Sequence, residues 1–181
     1  MDIGVLRLRA PLRSDFEAWA DLRARSRDFL QPWEPTWPED DLTRAAFDRR
    51  ITRYNEEIRS DLSYPFFLID RGNNTLLGGL TLTNVRRRAA MSVTLGYWMG
   101  APHAGKGLMS AVLPSVCRLA FGGLKFERIE AACLPENAAS IRVLEKVGFQ
   151  REGFARRYLS IAGARRDHIL FGLLKSDLKP E

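Results

Sequence analysis

The sequence predicts a single α+β domain in which helices flank a mixed, mostly antiparallel sheet. Helix-like and strand-like stretches follow one another through all 181 residues without an internal repeat or a linker, which indicates one domain over residues 1–181. Two pairs of strand-like stretches are joined by short turns that contain Gly or Asn, as antiparallel hairpins are. A chain of this length also buries a core without disulfides or metals.

The N-terminal half predicts, in order, a strand, two helices, a hairpin and another strand. Apolar and polar residues alternate from Val5 to Arg9, as they do in a strand. Ser14 and Glu17 have the spacing of a capping box, which predicts a helix up to about Arg27. The further elements are a Pro- and Trp-rich loop at 29–38, a helix at 42–59, a hairpin of 63–70 and 76–83, and a strand at 90–99.

The C-terminal half predicts a glycine-rich loop followed by a helix, a strand, a helix and a second hairpin. The loop is His103-Ala104-Gly105-Lys106-Gly107-Leu108-Met109, and the elements after it are a helix at 110–121, a strand at 127–134, a helix at 138–147 and strands at 154–160 and 165–173. Pro114 lies inside the first of these helices and predicts a kink or a local break. Gly148 is placed to end the second helix.

Composition excludes several classes of protein. The apolar fraction of 45% and the charged fraction of 28% are ordinary for a soluble globular domain. No apolar run reaches the ~18 residues of a membrane span, and the N-terminus lacks a signal-peptide segment. Cys117 and Cys133 lie in apolar contexts and predict reduced thiols, and two histidines without a cluster predict no metal site. We therefore expect a cytoplasmic protein that does not associate with membranes.

The net charge of +6 allows two interpretations. It is concentrated at Arg86-Arg87-Arg88, Arg156-Arg157 and Arg165-Arg166. These side chains are either solvated residues of loops and strand edges, or they attract an anionic cofactor or an RNA-rich partner such as the ribosome. Aromatic residues do not interleave with them, so direct sequence-specific binding of nucleic acid is not expected.

The glycine-rich loop predicts a phosphate site. Glycines between a strand and a helix let backbone N–H groups turn inward at the helix N-terminus, where the dipole attracts an anion. The stretch from Gly100 to Lys106 matches the G-x-x-x-x-G-K pattern of nucleoside triphosphatases, but Gly107 stands where that pattern needs a Mg²⁺-binding Ser or Thr. A nucleoside triphosphatase is therefore excluded. The alternative is an ordinary turn that opens a helix.

The glycine-rich loop is one of several motifs that occur in a characteristic order and spacing. They are Gly105-Lys106-Gly107-Leu108-Met109, Arg128-Ile129-Glu130-Ala131, Asn137-x-x-Ser140, Gly148-Phe149 with Glu152-Gly153, and Arg166-Asp167-His168, with Leu30-Gln31-Pro32-Trp33-Glu34-Pro35 extending the match to the N-terminal half. With these motifs the chain resembles the GNAT superfamily of acyl-CoA-dependent N-acetyltransferases, and within it the branch that acetylates N-terminal alanines of ribosomal proteins. Pro102 departs from the superfamily pattern, which often has Gln or Arg at this place.

The resemblance implies acetyl-CoA as cofactor, held in a cleft between splayed central strands. Its pyrophosphate would lie on the N–H groups of Ala104, Gly105, Lys106, Gly107, Leu108 and Met109. A backbone N–H near Trp98 or Met99 would polarise the thioester carbonyl. Asn137 would bond the pantetheine arm or, alternatively, serve only as a helix N-cap. Ser140, one turn later, would donate a proton to the departing thiolate.

Candidates for handling the acceptor amine are more ambiguous. Glu130 is a candidate base acting through water, Glu34 a candidate partner of the incoming ammonium group, and both have the alternative of an ordinary salt bridge. Tyr158 is a second candidate proton donor. Trp33 and Trp37 are placed either to wall the acceptor pocket or to anchor a loop.

Two residues with reactive side chains are expected to play other parts. We expect His168 to brace the C-terminal hairpin with Asp167 as its partner. No histidine is near Cys133 in sequence, so direct attack in a ternary complex is expected rather than an acyl-enzyme.

The resemblance implies acetyl transfer to a protein N-terminal α-amine, in particular that of an alanine on a ribosomal protein, and the pKa values of amines agree with an α-amine. An α-amine with a pKa of ~7.8 is about 14% neutral at pH 7, whereas a lysine at ~10.4 is about 0.04% neutral. A site without an unmistakable base therefore suits a terminal amine. The alternatives are a small-molecule amine acceptor (a polyamine, amino acid or antibiotic) and a non-catalytic CoA-binding or ribosome-associated module.

Overall fold

A computed structural model describes residues 1–178 of the chain, which form one eight-stranded sheet with five helices packed on its faces. The strands are β1 (Asp2–Ile3), β2 (Leu6–Arg9), β3 (Tyr64–Asp70), β4 (Leu76–Arg86), β5 (Ser92–Met99), β6 (Arg128–Cys133), β7 (Gln150–Ile161) and β8 (Ala164–Leu174). The helices are α1 (Phe16–Arg25), α2 (Arg27–Leu30), α3 (Arg44–Arg59), α4 (Leu108–Arg118) and α5 (Ala138–Val147).

The sheet has the order β1-β2-β3-β4-β5-β6-β8-β7. Every neighbouring pair is antiparallel except β5 and β6, which are parallel. This confirms the prediction of a mixed, mostly antiparallel sheet flanked by helices. The one parallel pair requires a long crossover, and α4 makes that crossover between β5 and β6.

The parallel pair separates soon after it forms. Its register contains Ser92↔Arg128, Val93↔Ile129 and Thr94↔Glu130, and it ends there. Beyond this point β5 pairs only with β4, and β6 pairs only with β8. A wedge-shaped gap therefore opens in the middle of the sheet, between residues 95–99 and residues 131–133. The prediction of splayed central strands is confirmed.

Two hydrophobic clusters cover the two faces of the sheet. The larger cluster packs α4 and α5 on one face and includes Val93, Leu95, Val112, Leu113, Val116, Ile129, Ala131, Leu144 and Phe171. The smaller cluster packs α1 and α3 on the other face and includes Trp19, Leu22, Phe47, Ile51, Phe67, Ile69 and Leu76. Because side chains alternate along a strand, Phe67 and Leu68 of one strand belong to different clusters.

The first helix does not begin with the predicted capping box. Ser14 lies in a 3₁₀ turn over Arg13–Asp15, and α1 follows it from Phe16. Asp15 organises the turn instead, because its carboxylate accepts the N–H of Leu12 at 2.7 Å and two N–H groups of Arg9 at 2.6 and 2.7 Å. The helix ends at Arg25, and the short helix α2 occupies the start of the predicted loop.

Pro114 does not break its helix. Helix α4 runs through it to Arg118, and a π-helical turn over Leu119–Gly123 follows. Residues on both sides of the proline, among them Val112, Leu113 and Val116, are fully buried. Burial of this apolar face outweighs the single backbone hydrogen bond that proline cannot make.

The remaining differences are at element ends. Helix α3 begins at Arg44, because Thr43 caps it by accepting the N–H of Ala46 at 3.2 Å. Strand β7 begins at Gln150, four residues before the predicted start. No helix within residues 1–178 is long and apolar enough to cross a membrane.

Candidate active site

The glycine-rich loop lies where β5 ends and α4 begins, at the mouth of the gap. Gly105 and Gly107 both have φ of +74°, a left-handed conformation that side chains disfavour. Gly107 is the N-cap residue of α4, so no side chain caps the first N–H groups of this helix. An added Cβ at either glycine would meet nothing within 4 Å. The left-handed backbone, rather than crowding, therefore explains why both residues are glycine.

Backbone N–H groups of this loop are free to hold an anion. Within the described residues, Ala111 is the first residue of α4 to return its N–H to the preceding turn, to Gly107 at 3.0 Å. The N–H groups from Gly105 to Met109 therefore have no acceptor among residues 1–178. Ala104 differs from the expectation, because its N–H bonds the carbonyl of Ala101 at 3.3 Å. Five of the six proposed amides remain available for a pyrophosphate.

The surroundings of the loop are positively charged. Burial lowers the pKa of His103 below its ordinary value, and the neighbouring charges of Lys106 and Arg25 lower it further. Lys106 and Arg25 thus place positive charge near the loop, which favours phosphate, whereas Asp70 acts on His103 in the opposite direction. Lys106 is exposed, whereas the side chain of Met109 is buried in the core, so Met109 offers only its N–H.

Helix α1 holds the start of the loop in place. The buried hydroxyl of Ser26 accepts the N–H of Ala101 at 2.9 Å. Leu22 packs so closely on Gly100 that an added Cβ would lie 2.4 Å from its Cδ1. These two contacts fix the start of the loop, and a loop with less freedom loses less entropy when a ligand binds.

The end of β5 presents backbone groups to the gap. The N–H of Gly100 bonds the carbonyl of Leu77 on the β4 side at 2.9 Å. Residues in an antiparallel ladder point their N–H groups alternately to the two sides. The N–H of Trp98 therefore also points toward β4, and the N–H of Met99 points toward the gap. Of the two amides considered from sequence, that of Met99 has the orientation to polarise a carbonyl in the gap.

Asn137 and Ser140 lie together at the start of α5. The side-chain oxygen of Asn137 accepts the N–H of Ser140 at 3.0 Å, so Asn137 is the N-cap of this helix. Its amide nitrogen has no partner within residues 1–178 and remains a donor. The hydroxyl of Ser140 lies 2.7 Å from the hydroxyl of Tyr97, which is on β5. This contact spans the gap and places Ser140 beside it.

Glu130 lies on the other face of the sheet. Its neighbours on β6, Ile129 and Ala131, belong to the cluster under α4 and α5, so Glu130 points away from α5. Its carboxylate is paired with Arg86 and with Arg128, the latter at 3.0 Å. In this arrangement both carboxylate oxygens are engaged, and Glu130 is not brought together with Ser140.

Glu34 is likewise engaged by the protein itself. Its carboxylate accepts two hydrogen bonds from Arg23 at 2.7 and 2.8 Å and one from the Trp37 indole at 2.7 Å. The buried Arg23 guanidinium also lies 4.0 Å from the centre of the Trp37 ring and 5.1 Å from that of Trp98. Trp37 is buried and is therefore an anchor of the loop.

The tip of the β7–β8 hairpin docks on the same loop. The N–H of Ala162 bonds the carbonyl of Glu34 at 2.9 Å. Trp33, by contrast, is 37% exposed, and Tyr158 on the hairpin is 46% exposed. Of the aromatic residues considered from sequence, these two have surface available for an acceptor.

His168 braces the hairpin, but not with Asp167. The buried His168 ring lies edge-on to Tyr158 at 5.7 Å between centroids, and its Nδ1 is 3.0 Å from the carbonyl of Arg166. Asp167 instead accepts the N–H of Arg157 at 2.7 Å. Arg157 lies in a bulge of β7 with φ of +49°, and that irregular backbone needs an acceptor for its N–H.

Cys133, at the end of β6, is buried, and burial raises the pKa of its thiol to about 11. A thiol that stays protonated is a poor nucleophile. This agrees with the expectation of direct attack.

Two residues of the site have no signal of their own in the sequence. In the sequence Tyr97 resembles any other apolar residue of a strand, and Arg23 resembles an exposed charge on a surface helix. Their partners lie 43 and 11 residues away, respectively. The alternation of β5 places Tyr97 on the face of Leu95, which alone does not indicate its contact with Ser140.

Comparisons with known proteins agree with this geometry. The description "Acetyltransferase (GNAT) domain" belongs to the family model that matches residues 6–150. The probable N-acetyltransferase YjcK of Bacillus subtilis is 35% identical over 164 residues, 91% of each chain. The ribosomal protein uS5-alanine N-acetyltransferase of Escherichia coli is 35% identical over 176 residues, 96% of this chain and 91% of the relative.

A solved structure, Mycobacterium smegmatis RimJ in complex with CoA-disulfide, superimposes with a TM-score of 0.92. It is 32% identical, and the match covers 99% of this chain and 86% of that one. The free amides at α4, the gap in the sheet and these relatives lead to the same assignment. The chain belongs to the GNAT acetyltransferase family and is an N-acetyltransferase that uses acetyl-CoA.

Proposed function

We propose that this enzyme acetylates the N-terminal α-amine of a protein, in the first place an alanine that begins a ribosomal protein. The observation that carries the proposal is the engagement of both candidate carboxylates by arginines. Glu34 is held by Arg23, and Glu130 by Arg86 and Arg128. Neither is available as a strong base or as a partner for a polycation.

An acceptor that needs little help to lose its proton fits such a site. At pH 7 an α-amine of pKa ~7.8 loses under ~1.2 kcal/mol to protonation, whereas a lysine side chain loses about 4.6 kcal/mol. The relative from Escherichia coli carries the name of an enzyme for an N-terminal alanine, which further supports an α-amine. The alkyl amines of small polyamines resemble that of lysine and lack the first of these supports.

Residues at different places around the gap contribute to different steps of the reaction. The amides of Gly105 to Met109 hold the pyrophosphate of acetyl-CoA, and the Met99 N–H polarises the thioester carbonyl in the gap. Acetyl-CoA supplies the activated acetyl group. Ser140, on the α5 side, donates its proton where the thiolate departs. Trp33 and Tyr158, on the hairpin side, contact the acceptor, and Tyr158 is a second candidate donor.

A panel of acceptors tests this proposal. The panel pairs a peptide beginning with alanine against the same peptide with a blocked N-terminus and one lysine, and adds spermidine and an aminoglycoside. Release of CoA is followed by thiol reagent and the modified atom by mass spectrometry. We expect kcat/KM for the free N-terminus to exceed that for the lysine peptide by at least about 10²-fold. Faster acetylation of the lysine, spermidine or aminoglycoside would contradict the proposal.

The role of Ser140 is tested by Ser140→Ala. We expect kcat to fall about 10²-fold, the usual contribution of a positioned proton donor, while KM for acetyl-CoA stays within about twofold. Ser160→Ala, an exposed position on β7, is the control. Glu130→Gln in the same assay decides the remaining candidate base, and an unchanged kcat is expected there. An unchanged rate in Ser140→Ala would remove its catalytic role.

A further inference from the structure

Tyr97 is the residue of this site that neither motif nor resemblance indicated. It lies on β5 opposite Leu80 of β4, three residues beyond the last pair between β5 and β6. Its ring packs against the cluster under α4 and α5. Its hydroxyl reaches across the gap to Ser140, on the helix that follows β6.

The Tyr97 hydroxyl contacts two oxygens of Ser140. It lies 2.7 Å from Oγ and 3.2 Å from the carbonyl oxygen. The carbonyl oxygen has two lone pairs, so it can accept the Tyr97 proton as well as the helical N–H of Leu144. A phenolic hydroxyl is a stronger acid than an aliphatic one and therefore the better donor, and Oγ is the nearer of the two acceptors, so donation from Tyr97 to Ser140 Oγ is favoured.

This direction of donation decides what Ser140 can do. A serine hydroxyl has one proton and accepts through its lone pairs. When Tyr97 donates to Oγ, the Ser140 proton is free to point elsewhere. In the opposite arrangement Ser140 donates to Tyr97, and no proton is left for a leaving group.

The Tyr97 hydroxyl stays protonated near neutral pH. Burial raises the pKa of Tyr97 above its ordinary value, although the hydrogen bond with Ser140 opposes this effect. A buried tyrosinate next to Ser140 is therefore disfavoured. Tyr97 acts as a constant donor and does not give up its proton.

We propose that Tyr97 is a positioning residue for acetyl transfer: its hydroxyl donates to Ser140 Oγ and leaves the Ser140 proton directed into the gap. This inference rests on the donor role proposed for Ser140. Ser140 gives its proton to the sulfur, which receives the electron pair of the breaking C–S bond. Ser140 regains a proton through solvent from the amine, which loses one as the C–N bond forms.

Tyr97→Phe tests the inference, because it removes the hydroxyl and retains the ring. We expect kcat to fall about tenfold and KM for acetyl-CoA to change less than about twofold. In the Ser140→Ala background the same substitution should leave kcat unchanged, because the hydroxyl that Tyr97 orients is absent. Tyr54→Phe, on helix α3, is the control. Equal factors in both backgrounds, or no loss in Tyr97→Phe, would overturn the inference.

A measurement on the free protein adds a readout that does not depend on turnover. With tyrosine labelled by ¹³C at Cζ, the Tyr97 resonance is identified by its loss in Tyr97→Phe. We expect this resonance to shift in Ser140→Ala, and the other three tyrosine resonances to stay in place. A Tyr97 resonance unaffected by Ser140→Ala would overturn the contact on which the inference depends.

The two proposals fail in different ways. The kinetic assays use whichever amine of the acceptor panel is acetylated, so an incorrect acceptor class leaves this test intact. If Ser140→Ala retains full kcat, the proposed donor role fails, and this inference fails with it. If Ser140→Ala is slow and Tyr97→Phe is not, only the role of Tyr97 is overturned.

Discussion

At Gly107 a left-handed backbone conformation and the proposed phosphate site coincide in one residue. Its φ of +74° sets the direction in which the chain enters α4, and the space around its Cα is open. A side chain there costs about 1–2 kcal/mol in the left-handed conformation. A chain that relaxes into another conformation would also turn the amides away from the phosphate.

The substitution Gly107→Ala should therefore lower both stability and cofactor affinity. We expect a loss of about 1 kcal/mol in the free energy of unfolding, and at least a tenfold weaker binding of CoA by calorimetry. Gly163→Ala is a matched control, because Gly163 has φ of +80° at the hairpin tip, outside the glycine-rich loop, and an added Cβ would make only an ordinary contact with Thr36 at 3.6 Å. It should show the same stability loss with normal CoA affinity. Equal weakening of CoA binding in both variants would contradict the assignment of the loop.

His103 reports the charge of the same loop. Because its pKa is lowered from the ordinary value of 6.5, the unfolded chain binds this proton more tightly than the folded one. The contribution of His103 to stability is thus full above pH ~6.5 and is lost as pH falls toward the folded pKa. We expect its NMR titration midpoint to lie below 6.5 in the free protein and to rise when CoA adds negative charge. A midpoint that CoA leaves unchanged would separate His103 from the phosphate site.

Among the elements, the loop after α2 has a fixed shape because of one buried ion pair. Arg23 of α1 is 7% exposed in its side chain and Glu34 is 21% exposed, and the hairpin tip bonds the Glu34 carbonyl. Three elements, α1, this loop and the β7–β8 hairpin, therefore meet at Glu34. This ion pair therefore positions the loop that carries Trp33, which we propose contacts the acceptor.

Glu34→Gln should destabilise the protein without removing the hydrogen bonds of the backbone. A buried guanidinium that loses its carboxylate costs about 3 kcal/mol, reduced here because Glu34 is partly exposed. We expect a loss of about 2 kcal/mol in chemical unfolding, and a KM for the acceptor that rises more than the KM for acetyl-CoA. The exposed Glu39→Gln should stay within about 0.5 kcal/mol. A neutral Glu34→Gln would mean that the pair does not hold the loop.

Sequence and structure agree best where a local rule decides. The alternation of residues 5–9, the glycine-rich loop before α4 and the Asn137 cap depend on near neighbours in sequence, and they were predictable. The ion pair of Arg23 with Glu34 and the contact of Tyr97 with Ser140 depend on how distant segments meet. For Glu130 and Glu34 the sequence left a functional carboxylate and a salt bridge as alternatives. Only the packed chain places the arginines that pair with them.

At the scale of the whole molecule, both clusters share the strands of one sheet. Leu68 and Phe67 are neighbours on β3 and face different clusters. Each of these strands therefore needs both clusters to bury its two faces. We therefore propose that residues 1–181 fold as a single cooperative unit.

Coincident unfolding transitions test this proposal. The four tryptophans lie in α1, in β5 and in the loop after α2, and Trp19 is in the smaller cluster with Trp98 packed against it. Val112→Ala, in the larger cluster, should lower the denaturant midpoint equally by tryptophan fluorescence and by far-ultraviolet circular dichroism. A midpoint that moves in circular dichroism alone would indicate two units.

The early end of the β5–β6 ladder has a consequence for the lifetime of the enzyme. Past Thr94 and Glu130 the backbone groups of the two strands no longer hydrogen-bond each other. A ligand bound between the strands would occupy the position of a missing strand. A ligand that binds only the native state adds about 2.7 kcal/mol at a hundred times its dissociation constant. We therefore expect bound acetyl-CoA to slow proteolysis of the enzyme.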